Sequence, residues 1–102
     1  MRELDIPLGV HKDGNAQEFI RFWVCDETDH VSLNIGGFTD NSNEAEIWGS
    51  ILADVAWHAI NAMQQDDPSR GTPEQMLAQI ELGFSRRFKF ERNMSGQLGG
   101  GH

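Results

Sequence analysis

The chain has a single cysteine, three prolines and no tyrosine in 102 residues. One thiol, Cys25, excludes an intrachain disulfide and gives no sign of an oxidising compartment, so the expected location is the cytoplasm. No apolar run approaches the roughly 20 residues that cross a bilayer, so no membrane span is expected. The opening Met1-Arg2-Glu3-Leu4-Asp5 also lacks the apolar core of a secretory signal. Positive charge is scarce, with 8 Lys and Arg against 16 Asp and Glu, a net charge of −8. That balance favours solubility and opposes the counterion release that drives nucleic-acid binding.

What is present is enough for one small core. The hydrophobic fraction is 38%, with three Trp and six Phe. The length suits a single domain, read as residues 1–92, followed by a flexible Gly-rich tail over 93–102. Charge is unevenly distributed. Residues 1–85 hold 15 acids and 4 bases, whereas Arg86, Arg87, Lys89 and Arg92 face one acid, Glu91, in the remainder.

Leu4-Asp5-Ile6-Pro7 reads as a candidate edge strand, because Pro7 lacks the N–H that a central strand would need. His11 to Ala16 reads as a loop, with a turn at Asp13-Gly14-Asn15. Phe19–Cys25 alternates as a strand, with Ile20, Phe22 and Val24 on one face; Cys25 is expected to pack there as a small apolar residue. Val31, Leu33 and Ile35 alternate with Ser32 and Asn34. The polar Asp26–His30 between the two segments predicts an antiparallel hairpin.

Asn43, with Glu46 three positions on, predicts a helix start, and that helix runs to about Gln65. Thr72, Pro73 and Gln75 predict a second. It carries Met76, Leu77, Ile80, Phe84 and Phe88 at helical spacing, and its predicted last turns collect Arg86, Arg87 and Lys89. The fold class is therefore α+β: a small antiparallel sheet covered on one face by two helices.

On a helical wheel, the apolar residues of the first long helix fill an arc of roughly 200°, wider than one contact needs. Trp57 falls in the opposite, polar arc, with Ile47 near its edge. Either the Trp57 ring folds over a neighbour or is covered by the termini, or it anchors an interface, a role for which Trp is enriched. The second alternative makes the chain a homodimer or a module with a protein partner. Basic residues Arg86, Arg87 and Lys89 meeting acidic surface on a neighbour offer a further route.

Several chemistries can be argued down. Ser50, Asp54 and His58 are triad residue types on one helical stripe. A working triad needs the imidazole between nucleophile and carboxylate, and here Ser50 and His58 lie about 12 Å apart along the axis. Asp54 and His58 could share a metal ion with His11, His30 or His102, but no His-x-x-x-His or Cys pair supplies ligand spacing. The aromatic–basic run Phe84–Arg92 resembles single-strand nucleic-acid platforms. Four bases against the acidic remainder oppose that reading and make only a modest patch for an anionic membrane surface. Gly36-Gly37 and Gly99-Gly100-Gly101 lack the strand–loop–helix setting of a phosphate cradle. No catalytic residue and no cofactor is expected.

Arg2-Glu3-Leu4-Asp5-Ile6-Pro7, the strand with Arg21 and Trp23, and the Val31-Ser32-Leu33 strand form a recognisable set. So do Trp48-Gly49 through Leu52-Ala53-Asp54, Ala56, His58 and Ala62, and then Gly83-Phe84. Together they resemble a family of short bacterial proteins classed as a domain of unknown function, over about residues 1–90. The resemblance implies one compact bacterial domain and carries no activity over to it. The leading expectation is a non-enzymatic module that self-associates. The alternative is a small-ligand binder or minor enzyme with a pocket between sheet and helices, lined by Trp23, Phe22 or Trp48, with Asp54 and His58 at its mouth.

Overall fold

The computed structural model describes residues 1–39 and 42–98. In chain order the elements are α1 (Leu8–His11), β1 (Ile20–Val24), β2 (Asp29–Leu33), α2 (Glu44–Asp66), a 3-10 turn (Pro68–Arg70) and α3 (Pro73–Leu98). A two-stranded antiparallel sheet and two long helices make this the α+β chain that the pattern predicts. The chain divides into two compact units, Met1–Glu44 and Ala45–His102.

In the first unit the hairpin pairs Ile20 with Leu33, Phe22 with Val31 and Val24 with Asp29. Period-2 alternation therefore puts Ile20, Phe22, Val24, Val31 and Leu33 on one face and Arg21, Trp23, His30 and Ser32 on the other. The second strand starts at Asp29, two residues before the predicted Val31. Cys25 N–H donates to the Thr28 carbonyl at 3.1 Å, which closes a connection shorter than the polar run suggested. Cys25 sits at that corner and is exposed, correcting the expectation that it packs in the strand.

The N-terminal residues form no edge strand. Pro7 (φ −56°, ψ 143°) instead precedes one helical turn, and its carbonyl accepts from Val10 N–H at 3.0 Å. The turn at Asp13 is as expected, with Asn15 N–H donating to Asp13 Oδ1 at 2.9 Å. Phe19 and Phe38 meet edge-to-face, 4.8 Å between centroids, across the segment that follows β2.

In the second unit α2 begins one residue after Asn43. Asp67 opens the link after α2 and caps its 3-10 turn: its Oδ1 accepts from Ser69 N–H at 3.0 Å and Ser69 Oγ at 2.6 Å, which holds its carboxyl below the usual carboxylate range. The start of α3 is the predicted capping box. Thr72 N–H donates to Gln75 Oε1 at 2.9 Å and Gln75 N–H to Thr72 Oγ1 at 3.1 Å, with Pro73 as the first helical residue. Ile60 on α2 and Met76 on α3 are the buried apolar residues among those described. The helices do not run side by side along their lengths.

The second helix does not stop near Asn93. It continues to Leu98, because α-helical hydrogen bonds are local and a single Gly96 costs only about 1 kcal/mol against Ala. Residues 99–102, with the remainder of the predicted tail and His102, lie outside the described residues.

Candidate functional site

Trp57 is 47% exposed on α2. A helical wheel places Ala53, Glu46, Ser50 and Asp54 around it, with Ile47 further round and half-buried. The helix carries Glu44, Glu46, Asp54 and Asp66 and no Lys or Arg. The neighbours of Trp57 one turn away are Ala53, Asp54, Ile60 and Asn61, so Asp54 is the charged group beside the indole on this helix and Glu46 stands about three turns away. Ser50, Asp54 and His58 are all exposed on this helix, at the one-turn spacing that keeps nucleophile and base apart. No group of three or more metal-ligating side chains occurs among the described residues.

The apolar stripe of α3 changes character along its length. Met76 is buried and Leu77 and Ile80 are half-buried, whereas Phe84 and Phe88, stacked at 4.6 Å between centroids, are each 51% exposed. Every described side chain from Glu81 to Asn93 is exposed. The bases of this stretch stand in the helix interior, since α3 runs on to Leu98 and its last turn has none. They do not complement the helix dipole, whose influence fades within the last turn. Arg87 pairs with Glu91 at 2.8 Å and lies 5.2 Å from the centre of the Phe90 ring. Arg86, Lys89 and Arg92 have no acidic partner among the described residues.

Leu82 is not singled out by the sequence pattern, and Phe90 enters there only as part of the aromatic–basic run Phe84–Arg92. They lie on the far side of α3 beside Arg86 and Lys89, and a wheel of this helix shows them. Both are about half exposed, so the basic face is also an apolar one.

The first unit holds a different feature. A cleft of about 530 Å³ runs between residues 2–7 and β1, lined by Leu4, Ile6, Val10, Ile20, Phe22 and Trp23 among others. Trp23 and Phe22 line this cleft, which lies between residues 2–7 and β1 and not between sheet and helices. Arg21 spans its rim. Its Nη1 donates to Glu3 at 2.9 Å and its Nε to Glu18 at 3.0 Å, and these carboxylates hold the guanidinium firmly charged. Glu3 is thereby tied to β1 across 18 residues of chain. Arg21→Leu is expected to release residues 2–7, seen as lower backbone order parameters there by nuclear magnetic resonance with β1 and β2 unchanged. Unchanged order parameters in residues 2–7 would show that the segment is held without the ion pair.

No curated protein matches the chain. A solved structure from the photosynthetic bacterium Rhodopseudomonas palustrus CGA009, provisionally described as a pyruvate dehydrogenase, is similar to it. The TM-score is 0.63 and the identity 24%, over 86% of this chain and 83% of that one. At that identity the likeness is one of fold. The family model described as a domain of unknown function, DUF5076, matches residues 3–90, most of the sequence, and the chain belongs to that family.

Proposed function

We propose that the chain is a non-enzymatic interaction module that pairs with a second copy of itself. The observation that carries this reading is the apolar stripe of α3, which is buried at Met76 and left open at Phe84 and Phe88. Single exposed apolar residues are ordinary, but two stacked rings continuing a buried stripe are an uncovered part of a core. Two-fold pairing is the commonest way for one sequence to cover such a surface. Sedimentation equilibrium over a wide concentration range is expected to give a dimer that dissociates on dilution. A monomer at every concentration would overturn the proposal.

A second reading, small-ligand binding, is favoured by one feature, the cleft between residues 2–7 and β1. Its volume lies in the range of small-molecule sites, and its walls are largely apolar with a few converging polar groups. Under this reading Trp23 and Phe22 make the ligand contacts, with Asp54 and His58 outside them.

A further inference from the structure

We infer that the pairing surface has two halves: the acidic face of α2 around Trp57, and the basic face of α3 formed by Leu82, Arg86, Lys89 and Phe90 of a second copy. This rests on the self-association proposed above and adds to it a charged contact on the face of α3 turned away from the Phe84–Phe88 stripe. The two faces are opposite in charge. On α2, Asp54 lies one turn from Trp57 and Glu46 about three turns from it on the same side, with no base on the helix. On α3, Arg86 and Lys89 flank Leu82 and Phe90, and neither base has an acidic partner in its own chain among the described residues.

Position in the helix removes the usual explanation for these bases. A cluster of cations near a helix C-terminus normally answers the macrodipole. Here the last turn ends at Leu98, nine residues beyond Lys89. On a wheel Leu82 lies roughly 140° round from Met76, Leu77 and Ile80, the residues of α3 that are covered, while Phe90 lies about 40° from Met76.

Charge also decides which helix of the second copy is met. Setting α3 on α3 would crowd the bases of two copies together, whereas α2 offers only acids. A two-fold axis then makes each contact twice, α3 on the partner's α2 and α2 on the partner's α3. The exposed fractions are 47% for Trp57, 49% for Leu82 and 52% for Phe90. They supply roughly 300 Å² of apolar anchor per copy inside a patch that, at typical size, spans about 800 Å². Trp and Arg are the side chains most enriched among interface hot spots, and an Arg over an indole adds cation–π attraction.

A charge-swap experiment tests the pairing. One variant carries Glu46→Lys and Asp54→Lys, so both of its faces are basic; the other carries Arg86→Glu and Lys89→Glu, so both are acidic. All four positions are exposed, and circular dichroism of each variant checks its helices. Each variant alone is expected to dimerise at least about tenfold more weakly than wild type. An equimolar mixture is expected to recover dimer, because the heterodimer restores opposite charges at both contacts. Wild-type dimer is also expected to weaken with added salt. If both variants dimerise as tightly as wild type, the interface lies elsewhere and self-association itself stands. If each is monomeric and the mixture stays monomeric, the α2–α3 pairing is wrong. A wild type that is monomeric throughout would overturn the self-association on which this geometry rests.

Discussion

Ile60→Ala is expected to lower the unfolding free energy by about 2–5 kcal/mol, the largest effect of any single truncation in the chain. Ile60 is the one fully buried large side chain among the described residues, and Met76 is the only other buried apolar one. Removing its three outer carbons forfeits their transfer free energy and leaves a cavity that two long helices cannot easily close. A folded chain of this size has roughly 5–15 kcal/mol in total, so the loss is a large share of it. Urea unfolding of Ile60→Ala, beside Val55→Ala on the same helix, is the measurement. Val55 is 52% exposed, and its truncation is expected to change stability by less than about 0.5 kcal/mol. Equal losses at the two positions would show that the Val55 side of α2 is also covered in solution, and a concentration-dependent midpoint would identify a second copy as the cover.

The elements most legible in the sequence were those fixed by local chemistry. Thr72, Pro73 and Gln75 predicted the start of α3, and both reciprocal hydrogen bonds of the capping box are present. The hairpin was legible because alternation assigns faces directly, and Phe22 and Val31 are indeed cross-strand partners. Its register was less so, because the turn is closed by a backbone bond from Cys25 to Thr28 that no side-chain pattern announces.

Boundaries that depend on competition between weak terms were misread. Leu4–Pro7 alternates and ends in proline, which suits an edge strand. The same proline also pre-sets the entry to a helical turn, and that use prevailed over Leu8–His11. At the other end, the bases near Arg87 read as a helix terminus although α3 continues to Leu98. The candidate surface was half legible. Trp57 stood out because an indole in a polar arc is anomalous, whereas Leu82 and Phe90 did not, because the eye follows the continuous stripe from Met76 to Phe88. The cleft beside β1 was illegible, since it depends on Glu3 reaching Arg21 from 18 residues away.

Gly71 is the position where backbone conformation and capping converge, and Gly71→Ala is expected to destabilise the α2–α3 unit by about 2–4 kcal/mol. Gly71 has φ +137° and ψ −179°, a region that glycine alone occupies comfortably. Strain of this kind costs about 1–3 kcal/mol. A methyl group there would also stand 2.9 Å from Gln75 Oε1, the atom that accepts from Thr72 N–H. Moving Gln75 away sacrifices half of the capping box, a further cost of about 1 kcal/mol. The Gly71 carbonyl, which accepts from Gln64 Nε2 at 3.2 Å, ties the same point back to α2. For a chain of about 100 residues the combined loss lowers Tm by roughly 8–30 °C. The two contributions separate in a cycle with Gln75→Ala, which removes both the collision and the cap. In that background Gly71→Ala is expected to cost only the backbone strain, about 1–3 kcal/mol. An equal penalty in both backgrounds would show that Gln75 yields freely. A penalty below about 0.5 kcal/mol in either would show that the link between the helices does not require the glycine conformation.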